Sequence, residues 1–325
     1  MKYRSFGRLG WNVSEIGHGM WGMGGQWKGS SDADAIAALN KSFELGCNFY
    51  DTAWIYGNGH SENLFRDAMS NRQKQGQVYV ATKVPPKNLQ WPGKAEYNIN
   101  DVFPKDHILE YTQKSLENLG VDQIDLLQLH VWDDSWTASD QWKNAIAELK
   151  AQKLIKGFGI SVNKWEESNV LEALRTDLID SVQVVYNILT QASEDLLFAE
   201  CKKRNIAVIV RVPFDEGSLS GVVTRDTVFE AGDWRAKYFT PSNLSQTMDR
   251  IEELKKVVPE GMTLAEMSLR YILSNDAVST IIPGMRSPNH VASNINTSDG
   301  FKLPVVLMEK LKQFRWDRNP NELNS

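Results

Sequence analysis

The stretch Gly17-His18-Gly19-Met20-Trp21-Gly22 follows a short apolar run with the spacing G-x-G-x-x-G, and its reading decides the fold. In a dinucleotide-binding βαβ unit that motif opens directly into a helix, and an acidic residue follows about 20 positions later. Here the chain continues Met23-Gly24-Gly25-Gln26-Trp27-Lys28-Gly29, a run too rich in glycine to begin a helix. The next strand-end acid, Asp51, lies 29 positions after Gly22. A doubly wound open sheet therefore loses its main support, and the pattern on either side of the motif must decide.

Working outward, apolar strand patterns occur at residues 15–19, 48–51, 78–83, 125–130, 157–161, 181–186, 207–211 and 279–283. Helical spacing fills the gaps at 32–45, 61–70, 107–119, 140–150, 165–174, 194–204, 244–258 and 288–296. A further helix at 263–274 has Thr263 and Glu266 at capping-box spacing. Strand then helix, eight times over, predicts an α/β fold of the (β/α)8 barrel type. Residues 1–14 read as a preceding β-hairpin, and 304–325 as a tail that is helical around 305–314 and then polar. No linker or low-complexity segment divides the chain, so 1–325 reads as one domain. The longest irregular stretches, 85–104 and 214–241, each follow a strand, where barrel enzymes carry functional loops.

Composition sets the outer limits. The chain has 325 residues, 42% hydrophobic and 24% charged, which is ordinary for a globular protein. Its net charge of -5 argues against a general nucleic-acid binder, whose affinity rests on Lys and Arg neutralising phosphates. No apolar run matches a signal-peptide core or the roughly 18 residues of a membrane span. Cys47 and Cys201 sit far apart in apolar helical contexts and read as buried, reduced thiols. These features describe a soluble cytoplasmic protein.

In a barrel, polar residues at the C-terminal ends of strands converge on one mouth. Here those are Asp51, Lys83, His130, Ser161 with Asn163, Gln183 and Arg211. Asp51, Tyr56, Lys83 and His130 make chemical sense together. A phenol of pKa about 10 exchanges protons poorly near neutrality, and an ammonium such as Lys83 would lower that value. Asp51 would hold Lys83 charged, and His130 would donate to a substrate oxygen. The group suits proton transfer to a carbonyl oxygen while hydride reaches its carbon; it supplies no hydride itself, which implies a nicotinamide cofactor. Five histidines include no H-x-H or H-E-x-x-H, so no metal site is expected. Gly217-Ser218-Leu219-Ser220-Gly221 puts leucine where a nucleophile elbow needs serine, and a Walker A loop is absent. A Schiff base through Lys83 is the remaining rival, disfavoured by the tyrosine five residues after Asp51.

With these residues in place, the chain resembles the aldo-keto reductases from about Tyr3 to Trp316. Asp51-Thr52-Ala53-Trp54-Ile55-Tyr56-Gly57 with Ser61-Glu62, Val80-Ala81-Thr82-Lys83 and Asp125-Leu126-Leu127-Gln128-Leu129-His130 are similar to three of the family's motifs, in order. The resemblance implies NADP(H) extended across the C-terminal mouth of the barrel, with Tyr56 as proton donor. Ser161, Asn163 and Gln183 would then hold the nicotinamide carboxamide, and Gly217, Ser218, Leu219 and Ser220 would cover the pyrophosphate. Ile282-Pro283-Gly284-Met285-Arg286-Ser287-Pro288-Asn289-His290, with Asn294, resembles the adenosine-phosphate segment. Arg286 and Ser287 would meet a 2′-phosphate, which favours NADP(H) over NAD(H).

Two positions depart from the family pattern. Arg211 stands where many relatives carry an aromatic that stacks on the nicotinamide; its charge would favour the reduced ring, unless Asp215 or Glu216 pairs with it. His290 stands where relatives often have glutamine. Trp21, Trp54 and Trp132, with Trp27 and Trp136, follow strands and would wall a substrate pocket. The expected partner is a small carbonyl or alcohol, sugars among the candidates. The second functional reading is a cofactor-binding, redox-sensing regulatory subunit with little turnover, because the fold also serves as a partner of membrane channels.

Overall fold

A computed structural model describes residues 1–25, 31–230 and 232–316. Its N-terminal hairpin pairs β1 (Tyr3–Phe6) with β2 (Trp11–Ser14) in antiparallel register, Tyr3 opposite Ser14. Eight parallel strands follow in chain order: β3 (His18–Gly19), β4 (Phe49–Asp51), β5 (Tyr79–Val84), β6 (Ile124–Leu129), β7 (Ile155–Ser161), β8 (Ser181–Val185), β9 (Ala207–Arg211) and β10 (Thr280–Ile281). Each pairs with its sequence neighbour. Parallel bridges Ile16–Ile281 and Gly19–Gly284 join the last strand to the first and close the (β/α)8 barrel.

The glycines of the opening motif have their reason in this closure. A Cβ on Gly19 would lie 2.5 Å from the Ile282 carbonyl oxygen, and one on Gly17 would lie 3.0 Å from that of Phe49. They let neighbouring strands approach, a packing need that mimics the phosphate-binding fingerprint.

Inside the barrel, Phe49, Ala81, Leu126, Ala207, Ile209 and Ile282 form an apolar layer with Phe6 and Val13 of the hairpin. The hairpin thus plugs the N-terminal end. Residues on the other face of the strands, such as Val80, Leu127, Val208 and Val210, belong to the larger core beneath the helices. Full burial of both faces explains why the strands read as continuous apolar runs.

The helices begin and end on local signals. Ser31 and Asp34 form a reciprocal capping box at the start of Asp32–Glu44, Thr263 accepts from the Glu266 N–H at Leu264–Leu273, and Gly120 ends Lys105–Leu119 in the left-handed conformation. The helix expected at 165–174 shrinks to Leu171–Leu174. Trp165 adopts φ +60, and the Asp134 carboxylate accepts from the Glu172 and Ala173 N–H groups, which fixes the late start. The helix expected from 244 begins earlier, at Pro241, where proline suits the first turn and Thr240 caps it. Cys47 and Cys201 are buried free thiols. No helix among the described residues is long and apolar enough to cross a membrane.

Candidate active site

Strand alternation gathers the polar residues. Two positions beyond Phe49, Ala81, Leu126 and Ile209 stand Asp51, Lys83, Gln128 and Arg211. With a side-chain period of two they occupy the same inner face, one layer nearer the mouth. Lys83, fully buried, donates from Nζ to Asp51 Oδ1 at 2.5 Å and to the Thr52 carbonyl at 2.7 Å. Asp51 Oδ2 accepts from Gln183 Nε2 at 2.7 Å and Gln128 Nε2 at 3.3 Å. A buried ion pair repays its desolvation only when its remaining lone pairs are also satisfied, and these two amides do that. The sequence reading did not single out Gln128, although it lies on β6 two residues before His130.

Tyr56 is set by backbone contact between two loops. A Cβ on Gly24 would lie 2.8 Å from the Tyr56 carbonyl carbon, and one on Gly57 (φ +67) would lie 2.3 Å from the Gly24 carbonyl oxygen. Two glycines therefore let the loops after β3 and β4 touch at Tyr56. The Lys83 ammonium lies 5.2 Å from the centre of its ring, and His130 stands edge-on to it at 5.7 Å. Both rings keep part of their surface open to the mouth. Burial pushes the Tyr56 phenol above its usual value of 10, against the opposing pull of Lys83 and Arg211 and with some push from Asp51. Lys83 thus acts in the anticipated sense, but desolvation outweighs it and the phenol stays protonated. Burial, with the positive charges of Lys83 and Arg211, holds His130 well below 6.5, so its imidazole is neutral. His130 Nδ1 is buried without a partner among the described residues.

The residues expected to meet a cofactor are distributed along one side of the mouth. Ser161 is buried at the end of β7. Asn163 is committed elsewhere: its amide donates to the Gly93 and Trp132 carbonyls at 2.9 Å and to Glu166 at 2.8 Å, and accepts from the Gly93 N–H at 3.1 Å. It fastens the loop after β5 to the ends of β6 and β7. Gln183 serves Asp51. The turn Asp215–Ser220 contains three residues with positive φ, Asp215, Glu216 and Gly217. Ser218 turns inward to Asp215 Oδ2 at 2.6 Å, Ser220 bonds the Gly217 carbonyl at 2.7 Å, and Leu219 is buried.

Gly284 faces open space. Arg286 lies over Gly22, where a Cβ would come within 2.8 Å of its Cδ; the last glycine of the motif makes room for this side chain. Ser287 caps the helix Pro288–Ile295 by accepting from the His290 N–H, His290 itself is exposed, and Asn294 is buried.

The tryptophans divide. Trp132 is fully buried, donates to Asp134 at 3.0 Å and packs edge-on against Trp136 and Trp142. That corrects its assignment to a pocket wall, because a ring without exposed surface cannot meet a substrate. Trp136 is likewise buried. Trp54 is half-buried against Tyr111, and Trp21 tilts against Trp234 at 5.4 Å. Trp27 lies outside the described residues. The ring that does stand beside His130, edge-on at 5.9 Å and 44% exposed, is Trp91. It sits in the 85–104 loop, whose position after a strand was the only signal for it.

A family model described as "Aldo/keto reductase family" matches residues 15–315, and the chain belongs to that family. Its members are oxidoreductases that generally reduce carbonyls with a nicotinamide cofactor. The chain is 29% identical to a pyridoxal 4-dehydrogenase of Microbacterium luteolum, across 90% of this chain and 91% of that one. It is 27% identical to an NADH-specific methylglyoxal reductase of Escherichia coli, across 92% and 95%. Among solved structures it resembles the holo form of an aldo-keto reductase of Bacillus halodurans, with a TM-score of 0.77, 25% identity and full coverage of both chains.

Proposed function

We propose that this protein reduces an aldehyde or ketone, with Tyr56 protonating the carbonyl oxygen and NADPH as the hydride source. The observation that carries the reading is a half-buried, protonated Tyr56 phenol beside the Lys83–Asp51 pair and a neutral His130. Lys83 lowers the cost of the phenolate that forms as the proton leaves. Asp51, braced by Gln128 and Gln183, keeps the ammonium aimed. Neutral His130 donates a hydrogen bond to the substrate oxygen without adding a charge. Trp21 and Trp54 border the mouth, and Trp91 shapes the substrate side above His130.

The cofactor side fits a phosphorylated dinucleotide. Gly22 leaves space that a Cβ would fill and Arg286 uses, at the N-terminus of Pro288–Ile295, where a guanidinium and helix N–H groups suit a 2′-phosphate. Ser161, Asn163 and Gln183 line the carboxamide end, with Asn163 and Gln183 acting through the contacts they already make. The 217–220 turn supplies backbone toward the pyrophosphate, with Gly284, Ser287, His290 and Asn294 on the adenosine side. When bound, the reduced nicotinamide supplies the hydride.

The test is multiple-turnover oxidation of NADPH with a panel of aldehydes, ketones and oxidised sugars, for the parent and Tyr56→Phe. The variant should lose orders of magnitude in kcat with NADPH affinity nearly intact. Tight cofactor binding by the parent without turnover of any carbonyl would favour the regulatory role instead. Loss of NADPH binding in Tyr56→Phe would remove the residue from the chemistry.

A further inference from the structure

Arg211 ends β9 at the mouth, and its guanidinium reaches across β8 to donate from Nη2 to the Val162 carbonyl at 2.7 Å. Its Nε is buried without a partner among the described residues. No carboxylate among the described residues forms a salt bridge with it. The acids once anticipated as partners are engaged elsewhere: Glu216 pairs with Lys164 at 2.6 Å, and Asp215 accepts from Ser218 and Tyr238. Asp51 is taken by Lys83. The backbone after Arg211 is also unusual. Val212, a β-branched residue, has φ +55, and Asn187 Nδ2 holds its carbonyl at 3.0 Å.

A half-buried cation without a counter-ion and a valine in the left-handed region both cost folding free energy. Such costs persist where the charge is used. Arg211 is held rigidly at the end of the barrel where Tyr56 and His130 stand, and its charge acts on both. In the proposed reaction the carbonyl oxygen sits at Tyr56, and the hydride donor must approach the carbonyl carbon to about 3–3.5 Å. The nicotinamide ring therefore enters the field of Arg211. That ring is cationic when oxidised and neutral when reduced.

We propose that Arg211 is a fixed, unpaired cation that selects the reduced cofactor over the oxidised one. This inference rests on the proposed function. A unit charge several ångströms from the ring, at the effective dielectric of a partly buried site, corresponds to about a tenfold preference or more.

The experiment measures Kd for NADPH and NADP+ by fluorescence titration, with thermal stability, in the parent, Arg211→Lys and Arg211→Gln. The ratio of Kd for the oxidised to the reduced form should fall about tenfold in Arg211→Gln and stay near the parent value in Arg211→Lys. Arg211→Gln should melt no lower than the parent, because it removes a desolvated charge that no salt bridge among the described residues offsets. An unchanged ratio in Arg211→Gln with NADPH still bound overturns the inference and leaves the proposed function standing. So does an unchanged ratio with turnover lost only for carboxylate-bearing carbonyls, which would assign the cation to substrate. Failure of the parent to bind either form removes the proposed function and this inference together.

Discussion

Replacing His18 by asparagine should remove about 2 to 3 kcal/mol of acid sensitivity from the folding free energy between pH 7 and 4.5. His18, the residue between the first two glycines of the opening motif, is fully buried and stacked on Tyr50. Its Nε2 faces the Met285 carbonyl at 3.0 Å, and its Nδ1 faces the Ser42 hydroxyl at 3.0 Å. A carbonyl only accepts, so the proton sits on Nε2 and Nδ1 accepts from Ser42. Burial lowers the imidazole from 6.5 to about 4, partly offset by the Met285 bond. Between these values the unfolded chain binds the proton and the folded one does not. Stability from this group is therefore present above pH 6.5 and is lost as pH falls toward 4. Urea unfolding of parent and His18→Asn at both pH values isolates the effect, because carboxylates elsewhere contribute alike to both proteins. Equal acid losses in the two proteins would refute the reasoning.

Three further outcomes follow from the site. Arg286→Ala should weaken NADPH by tenfold or more and NADH much less, in direct titrations; equal weakening would take Arg286 away from the 2′-phosphate. Gly22→Ala should also weaken NADPH, by pushing Arg286 off its seat, with less than about 1 kcal/mol lost in urea unfolding, because a side chain rather than backbone must yield. The pH profile of kcat/KM for reduction should stay flat from pH 6 to 9, since Tyr56 is raised above 10 and His130 lies well below 6.5. An inflection near 6.5 would mean that His130 titrates in the free enzyme.

The barrel was legible because its strands are buried on both faces and separated by helices of adequate length. Where the reading slipped, tertiary contacts overruled local pattern. Residues 165–174 have helical spacing, yet Asp134, far away in sequence, caps the chain at 171. Asp51, Lys83 and His130 could be read as strand-end polar residues because the barrel converts strand ends into one surface. Gln128 and the commitment of Asn163 to Gly93 could not, since both depend on which side chains meet across strands and loops. Aromatic identity was the least informative signal. Trp132 and Trp91 follow neighbouring strands, and only packing tells that the first is interior and the second stands open beside His130.

The protonation states at the mouth give the proposed reaction a direction. Carbonyl reduction needs a phenol that carries its proton and an imidazole that donates without charge, and the site already holds both. Alcohol oxidation needs the phenolate first. With the phenol above 10, fewer than roughly one site in a thousand offers it at pH 7. Lys83 and Arg211 reduce this cost but do not reverse it, because burial is the larger effect. An unpaired Arg211 pushes the same way from the cofactor side, since it disfavours a cationic ring. Oxidation would therefore have to overcome two penalties, one at Tyr56 that Arg211 partly relieves and one at the nicotinamide that Arg211 imposes, whereas reduction meets neither. Raising the pH should relieve only the first. On this reasoning the ratio of oxidation to reduction rates climbs with pH toward 10 in the parent; in Arg211→Gln the climb begins at higher pH, because the phenol loses one of the charges that lower it, and ends at a higher ratio.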